Sequence, residues 1–186
     1  MRGDIMQAAL ELIAERGFHG APMAAIAEKA NVAVGTIYRY FESKDALINE
    51  LHRELEEKIR ATLQEVYPIE RPLREKFLNL IRELLRYFIT NPLPFRYMGQ
   101  YFNSPYGFSP HGDRHLSKPG NHDILMDIFE QGIEQQVLKE FPNAVLSSLA
   151  VGPLISLTRD QILGVVNLDE TLIKRTTEAC WDAIKR

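Results

Sequence analysis

Apolar side chains along this chain recur at intervals of three and four residues, the spacing that lines one face of a helix. Near the start Ile5, Ala8, Ala9, Leu12 and Ile13 keep that interval, which predicts a helix over residues 4–15. Gly17 stops it, because glycine accepts the positive φ of a helix C-terminus at no steric cost. Phe18 then turns back toward the core. A second helix is expected over residues 23–30, with Met23, Ile26 and Ala27 inward. Pro22 suits its first turn, where no backbone N–H is needed. Asn31 closes that helix, Val32 plugs the turn, and a third short helix opens near Val34. Two short helices joined by a turn of about three residues have helix-turn-helix spacing.

A longer stripe follows. Leu47, Ile48, Leu51, Leu55, Ile59 and Leu63 predict a helix over residues 44–66, with Ser43 as its N-cap and Pro68 and Pro72 ending it. Phe77, Leu80, Ile81, Leu84, Leu85 and Phe88 predict another over 73–90. Asn91, Pro92 and Pro94 read as punctuation, so a short helix is expected over 95–102. Residues 104–120 hold three prolines and three glycines and are expected to form a loop. Helices are expected again over 123–139, 143–163 and 170–184. The predicted class is all-α, in two domains: residues 1–46 and residues 47–186.

Composition narrows the picture. With 45% hydrophobic and 25% charged residues the chain has ordinary globular values, so disorder is not expected. One cysteine, Cys180, excludes an internal disulfide and fits a reducing cytoplasm; beside Trp181 on a helical pattern it reads as a packing residue. No apolar run reaches the roughly 18 residues that span a membrane, and the amphipathic, acid-bearing N-terminus does not read as a signal peptide. The formal net charge is −3, and acidic side chains outnumber basic ones over residues 1–55. Any affinity for nucleic acid must therefore come from a local patch.

Residues 35–41, GTIYRYF, supply such a patch. Thr36, Tyr38, Arg39 and Tyr40 can hydrogen-bond phosphates or base edges, while Ile37 and Phe41, four apart, anchor the helix to its own domain. Together with AALELIAERGF, IAEKANVAVGTIYRYF and KDAL, this segment resembles the N-terminal domain of the TetR family of bacterial transcriptional regulators. The resemblance covers the first quarter to third of the chain. It implies a regulator that is not an enzyme and needs no cofactor. Its partners would be double-stranded DNA and a small-molecule effector, bound as a homodimer formed through the two C-terminal helices. Carried onto this chain, Val34, Gly35, Thr36 and Tyr38 would face the major groove. Tyr38, Tyr40 and Lys44 would hold phosphates, with Arg39 beside them. Lys44 opens a helix, so its ammonium and the helix N-terminus together would present donors.

Several positions depart from the family pattern. Ala21 and Pro22 stand where a capping Thr or Ser is usual, Ala33 replaces the usual Ser or Thr cap of the third helix, and Val34 stands where a polar residue commonly precedes the glycine. Each missing cap costs on the order of 0.5–2 kcal/mol, and each missing hydroxyl a phosphate contact. Downstream, the resemblance rests on the arrangement of helices and on RYMGQYFNSPYGF. The family's second domain encloses a pocket, for which Phe88, Tyr97, Met98, Tyr101, Phe102 and Phe129, with Phe95, are the candidates here. A buried tyrosine hydroxyl needs a partner that a ligand can supply, so Tyr97 or Tyr101 would orient a small, mostly apolar molecule.

Two other classes stay open. His111, Asp113 and His115, with His122 and Asp123, carry imidazole and carboxylate ligands suited to zinc, nickel or iron, which would suit a metal-dependent enzyme. They lie in the Pro/Gly-rich stretch, where polar residues are common anyway, and no resident metal is expected. The acidic N-terminal part and missing caps also suit a dimeric small-molecule binder that has lost its operator.

Overall fold

The computed structural model describes residues 1–68, 70–107 and 124–186. Helices account for the ordered elements: α1 Arg2–Arg16, α2 Met23–Lys29, α3 Val34–Tyr38, α4 Lys44–Glu65, α5 Leu73–Thr90, α6 Pro92–Phe102, α7 Ile124–Glu134, α8 Asn143–Ile162 and α9 Glu170–Ile184. Among the described residues no helix is long and apolar enough to cross a membrane.

Two compact units emerge. The first takes residues 1–58 and 91–107, the second residues 59–90 and 124–186, counting described residues only. The first unit thus continues past the boundary expected after residue 46, and it includes α6.

In the first unit, α1 buries Ile5, Ala9, Leu12 and Ile13. It begins two residues before the predicted start at residue 4, where Arg2 donates to Glu50 at 2.7 Å and Glu54 at 2.6 Å on α4. Gly17 has φ 68°, and the Gln100 side chain of α6 would stand 3.2 Å from any Cβ placed there. Both features favour glycine. Pro22 occupies the N-cap of α2 rather than its first turn. Ser43 caps α4 as expected, its hydroxyl accepting from Ala46 N–H at 3.0 Å.

α6 begins at Pro92 instead of residue 95. Pro92 and Pro94 fall within its first turn, where the N–H groups have no intrahelical acceptor, so the prolines open the helix that they were expected to exclude.

The second unit packs α5 against α7, α8 and α9. Its core holds Phe77, Ile81, Ile128, Phe129, Leu146, Ala150, Ile173 and Trp181, with the Phe77 and Trp181 rings 5.3 Å apart. Burial pushes the Cys180 thiol up to about 11, which keeps it a protonated packing residue. α7 stops at Glu134, five residues before the predicted end. Val137 and Leu138 N–H both donate to the Gly132 carbonyl, and the fully buried Leu138 side chain fills the space beside Gly132, where a Cβ would collide at 2.5 Å. The chain there pairs with the C-terminal end, Lys139 N–H donating to Ile184 and Arg186 N–H to Val137, each at 2.9 Å.

Candidate nucleic-acid interface

α2 and α3 meet through a tight turn. Asn31 takes φ 53°, Val32 N–H donates to the Ala27 carbonyl at 2.9 Å, and Ala33 enters α3 without a side-chain cap. A helix of five residues has almost no stability of its own. α3 is held by its anchors: Ile37 is fully buried, Phe41 nearly so, and Tyr40 and Phe41 N–H both donate to the Ile37 carbonyl. The Arg2 guanidinium lies over the Phe41 ring, 5.6 Å from its centroid.

The opposite face of this segment is open. Val34 is 37% exposed, Tyr38 53% and Tyr40 46%; Arg39 is also exposed and Thr36 half-buried. Nothing lies within 4 Å of where a Gly35 Cβ would be, so a flat surface can approach the backbone closely. Arg39, Tyr38 and Tyr40 have no side-chain partner among the described residues. One short stretch therefore offers a free guanidinium, two phenols, a threonine hydroxyl and a valine methyl face. These groups can bond phosphate oxygens and touch base edges.

Lys44 behaves differently from the expectation of a cation waiting for phosphate. It is half-buried, and its ammonium donates to the Phe18 carbonyl inside the unit. Burial lowers its pKa, partly offset by Asp45. The lysine therefore uses one of its donors to pin the Gly17 turn to the start of α4. Arg2 and Tyr106 are also positioning groups that the sequence did not single out. Tyr106 donates its hydroxyl to Asp45 at 2.6 Å and its ring lies 4.8 Å from Phe18. Their partners are some fifty or more residues away in sequence, so periodicity carried no signal for either.

The expected pocket aromatics divide between the units. Phe88, half-buried, and Phe129, fully buried, belong to the second unit; Tyr97, Met98, Tyr101 and Phe102 belong to the first. Tyr97 has found a protein partner: its hydroxyl donates to the Ile48 carbonyl of α4 at 3.1 Å, and burial raises its pKa. Tyr101 stacks on His52 with ring centroids 3.6 Å apart, and His52 Nε2 lies 3.1 Å from Glu56. Phe102 is 54% exposed. These aromatics tie α6 to α4 by direct packing. His111, Asp113, His115, His122 and Asp123 lie outside the described residues.

Comparison with known proteins bears directly on this arrangement. Residues 5–51 match the model for bacterial regulatory proteins of the tetR family, and residues 72–185 match the tetracyclin repressor-like C-terminal domain. The chain belongs to the TetR family. Family likeness thus extends well past the N-terminal segment that first suggested it.

A TetR family protein of Vibrio parahaemolyticus, described as a transcriptional regulator, is 30% identical with a TM-score of 0.78, the match covering 100% of this chain and 98% of that one. A helix-turn-helix-type transcriptional regulator of Haemophilus influenzae is 25% identical over 183 residues, 98% of this chain and 94% of its own length. The fold of a TetR family transcription regulator of Marinobacter aquaeolei superposes with a TM-score of 0.89 at 22% identity, covering 99% of this chain and 95% of that one. As a TetR-family transcriptional regulator the protein carries its DNA-binding helix-turn-helix in α2 and α3. Members of the family generally are not enzymes, and they typically dimerise.

Proposed function

We propose that this TetR-family regulator is a repressor that binds a palindromic operator as a homodimer and leaves it when a small, mostly apolar effector binds. The observation that carries the reading is the open face of α3, where Val34, Gly35, Thr36 and Tyr38 present to the major groove while Ile37 and Phe41 anchor from behind. Arg39, Tyr38 and Tyr40 hold phosphates, and Lys44 contributes the donors that Phe18 leaves free.

Dimerisation through α8 and α9 is supported by α8, which is apolar on more than one side. Leu146, Ala150 and Leu154 face the protomer's own core, while Val145, Pro153 and Ile155 are exposed and Leu149 is half-buried. Leu154, Ile173 and Ile184 are buried within the protomer, so the interface narrows to the other α8 face. Two reading helices held about 34–36 Å apart, or at a multiple, meet successive major grooves.

The second unit supports the effector class. Partly buried Leu84, Ile89, Leu125 and Met126 pack against its core, so a ligand entering there meets apolar surface. It releases DNA to the extent that it binds the non-DNA conformation more tightly.

A genome-wide duplex selection with the purified protein tests this. The expected product is a two-fold symmetric site whose affinity falls steeply with salt. Val34→Ala and Thr36→Ala should change the preferred sequence, whereas Tyr40→Phe should weaken all sequences alike. Recovery of no salt-sensitive duplex would leave a dimeric binder without an operator.

A further inference from the structure

Within the second unit, α5 and α9 leave a groove of about 680 Å³ between them. Its α5 wall carries Arg82 and Arg86, four residues apart and so on one face; its α9 wall carries Thr171, Lys174 and Arg175. Two carboxylates also line it, and both are engaged. Glu170 accepts from Arg86, which also donates to Glu83, and Glu178 lies 3.9 Å from Arg74. Arg82, Lys174 and Arg175 have no such partner among the described residues.

Three uncompensated cations on facing helices repel one another, and the chain as a whole is acidic, with a net charge of −3. This positive charge is local, so it focuses attraction on one groove. The volume falls within the roughly 300–1,000 Å³ of small-molecule sites. The donor set is that of a phosphate site: two guanidinium forks that pair with oxygens two at a time, one ammonium and one hydroxyl. Glu170 and Glu178 stand eight residues apart on α9, about 12 Å along its axis, and they limit the length of anion that fits between them. A continuous nucleic-acid backbone would have to run past both carboxylates; a short anion would not.

We propose that this groove binds a small molecule bearing a phosphate or diphosphate group, at a site separate from the DNA-reading face. Arg82, Lys174 and Arg175 make the contacts, and Arg86 neutralises Glu170 by pairing with it.

Titration calorimetry of the full chain at low salt, with inorganic pyrophosphate and with ADP, tests the proposal. Saturable binding is expected, weakened by about tenfold in Arg82→Gln and in Arg175→Gln, the loss of one charge-assisted contact each. Both side chains line an open groove, so the variants should melt with the parent. Arg39→Ala, on the reading helix, should bind pyrophosphate as the parent does. A tighter ADP complex would add an organic moiety to the site, and a tighter pyrophosphate complex would restrict it to the phosphates. Three results would overturn the proposal: no saturable binding of either probe, equal binding by the double variant Arg82→Gln/Arg175→Gln, or loss of duplex binding in those variants.

Discussion

Replacing Ile37 and Tyr38, adjacent residues on opposite faces of α3, should separate stability from DNA affinity. Ile37 is fully buried, and truncation to alanine leaves a cavity costing about 2–5 kcal/mol. For a chain of this size that corresponds to a drop of about 4–20 °C in melting temperature. Valine at the same position removes a single methylene and should cost only about 0.5–1.5 kcal/mol. Tyr38 is 53% exposed and has no partner among the described residues, so Tyr38→Ala should change stability by less than about 0.5 kcal/mol. Its cost appears on DNA. In the proposed two-fold dimer the contact is lost twice, and about 0.7 kcal/mol per head amounts to about a tenfold loss of affinity. Thermal unfolding followed by circular dichroism reads the first effect; fluorescence anisotropy with the selected duplex at low salt reads the second. The reasoning fails if Tyr38→Ala destabilises as much as Ile37→Ala, or if it leaves duplex affinity untouched.

Tyr97→Phe should lower stability by about 0.5–1.5 kcal/mol, because the hydroxyl bonds the Ile48 carbonyl; unchanged stability of the ligand-free protein would return Tyr97 to the role of orienting an effector. Ile155→Asp with Val145→Asp should yield monomers in sedimentation at micromolar concentration, and a persistent dimer would move the interface off α8. Acid should weaken the first unit. Arg53, then Arg2, hold the Glu50 carboxyl below its usual 4.5, and Lys29 does the same for Glu11. A depressed folded pKa adds stability above about pH 4.5 that is lost as pH falls through the folded value. Melting temperature should therefore fall from about pH 5 toward pH 3, less steeply in Arg53→Ala and less in high salt; an equal slope in the variant would contradict the assignment.

Elements bounded by local chemistry were legible in the chain. α5 runs from Leu73 to Thr90 as its stripe predicted, because a proline precedes it and another closely follows. α9 likewise matches, opened by Asp169 accepting from Leu172 N–H at 2.8 Å. Misreadings came where distant residues decide. Leu138 continues the helical interval of α7, yet a buried slot beside Gly132 and pairing with the C-terminal end take it out of the helix. The internal partners of Lys44 and Tyr97 gave no local signal, because the carbonyls that accept from them, on Phe18 and Ile48, lie 26 and 49 residues away. The open face of α3 was legible because GTIYRYF itself places the two anchors, Ile37 and Phe41, four apart with polar groups between them. The phosphate groove was not, because its two walls are nearly ninety residues apart and each alone is an ordinary solvated helix face.

Closure of the first unit by α6 sets a schedule for synthesis. A ribosome adds about 5–20 residues each second, and residues 1–58 emerge well before residues 91–107. During that interval α1 lacks the helix that packs on it, and Ile48 lacks its tyrosine. A nascent reading head therefore waits, incomplete, until the intervening α5 has been made. Fragments ending near residue 58 should reproduce that waiting state, and grafting the helix-turn-helix onto another protein would require α6 to travel with it.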